Sequence, residues 1–223
     1  MTKPRRTVIL ISGRGSNMMA LVEASRGNGF PAEIAAVISN RPEAAGVAWA
    51  AAHGIEARIV DHKAFPHRAA FEAELHAAVT AAGADLLCLA GFMRVLTAGF
   101  VQHWQGRMIN IHPSLLPAFK GLHTHEQALA AGVRISGCTA HFVVPEMDAG
   151  PIIAQAAVPV QEGDTADRLA ARILDAEHKL YPLALRLVAD GTVQLENGRA
   201  VNRGPSPVNH TSVVYSPPLT RIG

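Results

Sequence analysis

The sequence has little of what marks several large classes of protein. Only two of its 223 residues are cysteines, Cys88 and Cys138, and each lies in an apolar run, which favours buried reduced thiols over a disulfide framework. Basic and acidic residues nearly balance, 20 against 18, and the basic ones are scattered, so no nucleic-acid partner is expected. No stretch approaches the ~20 apolar residues that span a bilayer, so no membrane partner is expected.

Aromatic residues make up only 5% of the chain, whereas hydrophobic residues make up 49%. The core is therefore expected to be aliphatic and large enough for one ordinary domain. The first residues, MTKPRRTVILISGRGSN, combine basic residues with a short apolar run. That run reaches a glycine loop too soon for the apolar region of a signal peptide, and we expect a cytoplasmic protein.

Short apolar runs alternate with helical patterns through the first half of the chain. Runs that are apolar throughout and bounded by glycine are typical of parallel strands covered on both faces. The pattern predicts the α/β class, with an open, mostly parallel twisted sheet and helices on both faces, in a Rossmann-like arrangement. The predicted strands are 7–12, 33–39, 56–61, 85–91 and 107–112, and the predicted helices are 17–25, 43–54 and 65–82.

The second half of the chain has a different pattern. Residues 137–160 read as two extended segments joined by a loop, which predicts an antiparallel C-terminal part. A helix is predicted over 165–189, where Asp164 and Thr165 can cap its start. An Asn-Gly turn then predicts a hairpin over 190–203, and a tail rich in proline and serine follows. We therefore predict one main domain over 1–190 and a C-terminal hairpin and tail over 191–223.

A glycine loop, Gly13 to Asn17, separates the first predicted strand from the first predicted helix. Ligands of open parallel sheets bind at the carboxyl ends of strands, and a helix start offers unpaired N–H groups to an anion. The loop departs from the dinucleotide and P-loop motifs, so it favours a simple phosphomonoester at Gly15, Ser16 and Asn17. The alternative is a tight turn in which glycine serves the backbone geometry alone.

Asn110 and His112 end the fifth predicted strand, in the stretch RMINIHPSLLPAFKG. Residues two apart on a strand share a face, so both side chains should project together at the mouth of the sheet. An asparagine amide can hold a developing oxyanion, and a histidine can exchange a proton near neutral pH. The alternative for His112 is a core histidine whose nitrogens are satisfied.

Asp148, in the stretch PEMDAGP, is the carboxylate best placed to orient His112. An ionised aspartate beside the ring would favour the imidazolium form, which suits a general acid. The alternative is an aspartate that only stabilises its turn. A metal site formed by His112, His123, His125 and His141 is disfavoured, because no recognised ligand spacing is present, and no metal is expected.

Five stretches in this order resemble one family: ISGRGSN, LAGFMRVL, MINIHPSLLPAFKGLHTHEQAL, GCTAHFVVPEMDAGPII and AEHKLYPLAL. Over Thr7 to Val193 the chain resembles the phosphoribosylglycinamide formyltransferases, the folate-dependent enzymes of purine synthesis. The resemblance implies transfer of a formyl group from 10-formyltetrahydrofolate, the co-substrate, to the amine of glycinamide ribonucleotide. It also implies a cis peptide bond between Leu116 and Pro117.

The same resemblance implies roles for the catalytic residues. Asn110 and protonated His112 would stabilise the oxyanion, and His112 is a candidate proton donor. Asp148 would favour the protonated ring and, through ordered water, help move protons between the attacking amine and the leaving nitrogen. Each charge-assisted donor would contribute on the order of 10²–10³ in rate.

Binding residues follow from the resemblance as well. Gly15, Ser16 and Asn17 match the phosphate-binding loop, Glu177 matches an acidic residue near the substrate ribose, and Leu174 is its partner position one turn earlier. Arg68 matches a residue that can meet the glutamate carboxylate of the folate, although a solvated helix face is the alternative. For Met93 and Leu96 the alternative is core packing. The residues implied to line the pterin pocket are Met93, Arg94, Val95, Leu96 and Asn110, with Val144, Pro145, Glu146, Met147 and Asp148 opposite.

Other functions fit the sequence less well. A methionyl-tRNA formyltransferase should show a C-terminal RNA-binding domain and a basic surface, and neither is expected here. A formyltetrahydrofolate hydrolase should show a regulatory N-terminal domain, and a sugar-nucleotide formyltransferase a nucleotide site. A non-catalytic phosphate-binding module would not need Asn110, His112 and Asp148 together. The sequence leaves the oligomeric state open, and a homodimer is compatible with it.

Overall fold

Seven strands form the central sheet of the computed structural model, which describes residues 3–204 and Ser216. The strand order is β3-β2-β1-β4-β5-β6-β7. Strands β1 to β5 are parallel, β6 is antiparallel to β5, and β7 is antiparallel to β6. The strands are β1 Arg5–Ile11, β2 Ala32–Ser39, β3 Glu56–Ile59, β4 Leu86–Leu89, β5 Met108–His112, β6 Ile135–Phe142 and β7 Ile152–Pro159. This confirms the predicted fold class, including its antiparallel part.

Six α-helices connect and cover these strands in the described residues. The longest, α6, begins where predicted, because the Thr165 hydroxyl accepts a hydrogen bond from the Arg168 amide. None of the helices in 3–204 is both long and apolar enough to cross a membrane. The helices are α1 Ser16–Ser25, α2 Ala45–Ala52, α3 Arg68–Ala81, α4 Ala98–His103, α5 Thr124–Ala130 and α6 Ala166–Ala189, and a 3-10 turn spans His62–Ala64.

Both faces of the sheet are buried, which explains why its central strands are apolar throughout. Along β1, Ile9 and Ile11 face a core shared with α1, α2 and α6, whereas Val8 and Leu10 face a second core shared with α3 and α4. All four side chains are fully buried.

The strand order reverses direction between β1 and β4, since the chain builds outward through β2 and β3 and then returns to the other side of β1. Open α/β sheets bind ligands in the crevice at such a reversal, outside the carboxyl ends of the strands. The glycine loop follows β1 at this edge, and His112 closes β5 at the same edge.

Two helices were not predicted, α4 and α5. Helix α4 has only six residues and contains Gly99, so its local pattern is weak, and it is capped through the Thr97 hydroxyl. Helix α5 has seven residues and begins after His123, whose φ is 58°. The Leu116–Pro117 peptide bond is cis, as the resemblance implied.

The C-terminal hairpin is formed by β8, Val193–Glu196, and β9, Arg199–Asn202. Its turn residues Asn197 and Gly198 both have positive φ, 49° and 75°, the conformation that an Asn-Gly hairpin turn requires. Val193 is buried in the core shared with α6. The division of the chain at residue 190 stays a prediction, and the predicted tail lies outside the described residues apart from Ser216.

Candidate active site

A cavity of about 500 Å³ lies at the carboxyl ends of β4 and β5. Its mouth is apolar, since Met93, Val95, Leu122 and Met147 are 58–70% exposed. Polar side chains from β5 and from the β6–β7 connection face the same space. The lining residues fall within 89–96, 110–113, 121–125 and 141–148, with Val101 added.

The end of β5 supplies two of these polar side chains. Met108, Ile109 and Ile111 are buried and hold the strand in the sheet, while Asn110 and His112 both line the cavity. Helix α6 also contacts the ends of β4 and β5. The hydroxyl of its buried Tyr181 lies 3.0 Å from the carbonyl oxygen of Leu89 and 3.0 Å from that of Ile109. The site therefore rests on a rigid strand edge.

His112 is enclosed by two acceptors. Its Nε2 lies 2.9 Å from the carbonyl oxygen of Phe119, which can only accept, so Nε2 carries a hydrogen. Its Nδ1 lies 3.5 Å from Oδ2 of Asp148, and the two side chains are only 6% and 11% exposed. The two ring nitrogens therefore face one carbonyl oxygen and one carboxylate oxygen, both of which can accept a hydrogen bond.

Asp148 is held in place by its backbone and by the loop that follows β5. Its φ is 50°, in the left-handed region, which is rare outside glycine and asparagine-like residues. Its Oδ2 accepts a hydrogen bond of 2.9 Å from the amide of Gly121. The loop between β5 and α5 thus contacts both His112, through Phe119, and Asp148, through Gly121.

His141 on β6 completes the polar wall. It is 2% exposed, and it pairs with Asn110 across β5 and β6. Its Nε2 lies 3.2 Å from Nδ2 of Asn110 and 3.9 Å from Oδ1 of Asp148. Burial lowers the pKa of His141 below the ordinary histidine value, against smaller opposing effects of its Phe142 hydrogen bond and of Asp148.

The glycine loop joins β1 to the start of α1. Gly15 is left-handed at φ 76°, and no side chain caps the start of α1, so its first amides are not taken by a side chain. Asn17 Nδ2 donates to Oε2 of Glu177 over 2.7 Å, while the buried Oδ1 of Asn17 has no partner in the described residues. Burial raises the pKa of Glu177 to about 7, although the Asn17 bond opposes this.

Leu174 lies one turn before Glu177 on α6 and is half-buried. The glycine loop adjoins the cavity through Ser12, the residue just before it, whose hydroxyl accepts a hydrogen bond of 2.7 Å from the amide of Met93. That amide is consequently not available to a ligand.

The structure places all ten residues implied to line the pterin pocket on the wall of this cavity. Arg68, which the resemblance assigns to the glutamate carboxylate of the folate, is exposed at the start of α3 and is not among the cavity-lining residues. Leu96 lines the cavity but is only 8% exposed and packs in the core beside α3, which was the alternative for this residue. The cavity-lining members are Met93, Arg94, Val95, Leu96, Asn110, Val144, Pro145, Glu146, Met147 and Asp148.

Three histidines lie on the cavity wall without having been assigned a role there: His123, His125 and His141. Burial lowers the pKa of His125, partly opposed by Glu126. The sequence could show their presence but not their position, because the Asn110–His141 pairing depends on the antiparallel register of β5 and β6. Within 3–204, no three His, Cys, Asp or Glu side chains are grouped so as to hold a metal ion.

Comparison with known proteins gives consistent results. Residues 5–185 match the sequence profile of the formyl transferase family. The phosphoribosylglycinamide formyltransferase of Escherichia coli (strain K12) is 44% identical over 193 residues, which cover 86% of this chain and 91% of that protein.

Two further similarities extend this result. The human trifunctional purine biosynthetic protein adenosine-3 is 50% identical over 198 residues, covering 88% of this chain, but the chain spans only 20% of that protein's length. The crystal structure of glycinamide ribonucleotide transformylase 1 from Symbiobacterium toebii superimposes with a TM-score of 0.86 at 46% identity, covering 89% of this chain and 94% of that one.

Proposed function

The chain belongs to the formyl transferase family, and from this premise we propose that it is a folate-dependent phosphoribosylglycinamide formyltransferase. It transfers the formyl group of 10-formyltetrahydrofolate to the amine of N1-(5-phosphoribosyl)glycinamide. The products are formylglycinamide ribonucleotide and tetrahydrofolate, in the de novo synthesis of purines. The names of the relatives in Escherichia coli and Symbiobacterium toebii support this choice among formyl-transfer reactions.

One observation carries the proposal: Asn110, His112 and Asp148 meet on the wall of a cavity large enough for a folate head group. The His112–Asp148 separation is 3.5 Å, and both residues line the cavity with Asn110. A volume of about 500 Å³ lies within the range of about 300–1,000 Å³ that small-molecule sites occupy. Its apolar mouth suits the flat pteridine and benzoyl rings of the donor.

The proposed chemistry is an acyl transfer. The lone pair of the substrate amine attacks the formyl carbon, a C–N bond forms, and the carbonyl electrons move onto oxygen. The Asn110 amide and the positive charge of His112 stabilise that oxyanion. The intermediate then loses the bond between the formyl carbon and N10 of the folate. N10 gains a proton, and the attacking amine loses one.

The Asp148 carboxylate has two roles in this reaction. In this proposal its carboxylate stabilises the His112 imidazolium before attack and then accepts the proton that the amine releases. Its own position is fixed by the Gly121 amide. A preorganised carboxylate needs no rearrangement as charge develops, which is the main advantage of such a site over water.

The glycine loop and α6 bind the acceptor in this proposal. The uncapped amides at the start of α1, at Gly15, Ser16 and Asn17, receive the phosphate. Glu177 meets the ribose, with Leu174 beside it. The unsatisfied Oδ1 of Asn17 and the buried carboxyl of Glu177 are polar groups that a hydroxyl-bearing ligand would satisfy.

The remaining expectations concern partners. We propose that the protein works on small-molecule substrates in the cytoplasm, without a nucleic-acid or membrane partner and without a metal, and a homodimer is compatible with these features. Arg68 stays a prediction for the glutamate tail of the folate. That tail would extend from the cavity mouth towards solvent.

Formation of formylglycinamide ribonucleotide by the purified protein tests the proposal. Incubation with 10-formyltetrahydrofolate and glycinamide ribonucleotide should yield this product together with tetrahydrofolate. His112→Ala should reduce the rate at least about 10³-fold while leaving the far-ultraviolet spectrum of the folded protein unchanged. A wild-type protein that forms no product, or a His112→Ala variant with near-normal turnover, would overturn it.

A further inference from the structure

His141 is a buried titratable group that no step of the proposed reaction uses. It is 2% exposed, and it lies between the Asn110 amide and the Asp148 carboxylate on the same cavity wall. The two distances differ: Nε2 is 3.2 Å from Nδ2 of Asn110 but 3.9 Å from Oδ1 of Asp148. The closer partner is therefore the asparagine.

The hydrogen bonds of the ring determine its tautomer. Nδ1 lies 2.9 Å from the carbonyl oxygen of Phe142, which can only accept, so Nδ1 carries a hydrogen. Nε2 faces the amide nitrogen of Asn110, which can only donate, so Nε2 offers its lone pair. A ring with one hydrogen, on Nδ1, satisfies both contacts, and this is the neutral form.

The environment of the ring favours this neutral form independently. Burial lowers the pKa of His141, so the ring is uncharged at neutral pH. The ring also has little freedom to turn. A Cβ added at Gly150 would lie 1.7 Å from the Phe142 carbonyl oxygen and 3.2 Å from Nδ1 of His141, so the backbone of the β6–β7 connection contacts this corner closely.

We propose that His141 is a positioning residue that acts through Asn110. As a neutral acceptor it holds the NH₂ group of Asn110 towards its own ring, and so it determines which amide hydrogen remains for the formyl oxygen. Without such an acceptor an asparagine amide can rotate by half a turn at little cost. Rotation would present its carbonyl oxygen where a donor is needed, and the oxyanion would then meet a repulsive dipole. The inference rests on the proposed function, because it concerns the same oxyanion.

Protonation of His141 would reverse this arrangement. The groups that face the ring are Asn110 and His112 from β5 and Asp148 from the β6–β7 connection, while β7 contributes the apolar Ile152. An Nε2–H would repel the Asn110 NH₂ group and attract Oδ1 of Asp148. The carboxylate would then be shared between two cationic rings, so acidification should impair both the amide and the His112–Asp148 pair.

Paired variants test the role by activity. In His141→Gln, the side-chain oxygen can replace Nε2 as an acceptor, whereas His141→Ala removes it. We expect His141→Ala to lower kcat by about 10–10²-fold with KM for both substrates changed less than about threefold. His141→Gln should retain kcat within about fivefold of the wild type and lose less activity on acidification, because glutamine does not titrate.

A double-mutant cycle separates positioning from general structural support. In an Asn110→Ala background, where no amide remains to be oriented, His141→Ala should cost less than about threefold in kcat. An equal fold-loss in both backgrounds, or no rescue by glutamine, would overturn the proposal.

Nitrogen chemical shifts test the tautomer without any reaction. Long-range ¹⁵N–¹H spectra of the labelled wild-type protein, with His141→Gln to assign the signal, should show hydrogen on Nδ1 and an unprotonated Nε2 at pH 7. A ring protonated on Nε2 would overturn the proposal. If the wild type does not formylate glycinamide ribonucleotide, the proposed function fails, and the spectrum still decides whether His141 is the acceptor of the Asn110 amide.

Discussion

Replacing Asp148 by asparagine removes one negative charge from the active site with little other change. Asparagine has nearly the same shape, and it tolerates a positive φ, here 50° at this position. Its side-chain oxygen can also accept the Gly121 amide hydrogen bond that Asp148 Oδ2 now accepts. The variant should therefore fold, and its defect should report the charge alone.

The size of the defect follows from the geometry of the pair. A unit positive charge on His112 and the Asp148 carboxylate, 3.5 Å apart, attract each other by about 5 kcal/mol at an effective dielectric constant of 20. The side chains are 6% and 11% exposed, so salt screens them weakly. The Phe119 carbonyl remains as a partner of the ring, and part of the loss is compensated. We expect kcat to fall by about 10²–10³-fold.

Steady-state kinetics at saturating donor and acceptor measure this effect. KM for both substrates should change much less than kcat, because the charge acts on the transition state. Asp167→Asn, the same chemical change at an exposed position in the first turn of α6, is the matched control and should stay within about twofold of the wild type. An Asp148→Asn variant that keeps more than about half of the wild-type kcat would show that the charge of this carboxylate contributes little to catalysis.

Three further predictions concern stability and reactivity. Burial raises the pKa of Glu177 from 4.5 to about 7, so the folded carboxyl binds its proton more tightly than the unfolded one, and stability falls as the pH rises through this window. The free energy of unfolding of Glu177→Gln in urea, relative to that of the wild type, should therefore increase by about 3 kcal/mol from pH 4.5 to pH 7.5, and a pH-independent difference would contradict this. Burial raises the pKa of both Cys88 and Cys138 to about 12. Iodoacetamide at pH 8 should therefore label the native protein very slowly but label both thiols after unfolding, and rapid labelling of the native protein would contradict this. Gly150→Ala should lower the free energy of unfolding by at least about 2 kcal/mol, because its Cβ would lie 1.7 Å from a carbonyl oxygen. The control Gly99→Ala should not lower it, because nothing lies within 4 Å of its Cβ, and equal stabilities would show that the backbone of the β6–β7 connection can shift to accept the methyl group.

The sheet and the longest helix could be predicted from local sequence patterns. The apolar runs of β1, β2, β4 and β5 are recognisable because each strand is covered on both faces, and α6 is recognisable from its length and its Thr165 cap. Helix α4 also has a threonine cap, at Thr97, but it has only six residues and one of them is glycine, so its pattern is weak. It depends on Glu72, whose carboxylate accepts from the Thr97 amide across 25 positions of sequence.

The catalytic residues were predictable for a different reason. Asn110 and His112 are two apart on one strand, so their shared face follows from strand geometry alone. Asp148 was identified from its type and its loop, but its distance from His112 depends on a left-handed backbone that the sequence does not reveal. His141 could not be placed beside Asn110, because that contact exists only through the register of two antiparallel strands.

The distribution of the formyl group between glycinamide ribonucleotide and water is the sharpest test of the proposed function. The purified protein is given 10-formyltetrahydrofolate with saturating glycinamide ribonucleotide, and formylglycinamide ribonucleotide, formate and tetrahydrofolate are quantified together. A phosphoribosylglycinamide formyltransferase should form one ribonucleotide product for each tetrahydrofolate released, with formate near the uncatalysed level. Release of formate at a rate that is the same with and without the ribonucleotide would contradict it and would indicate a hydrolase instead.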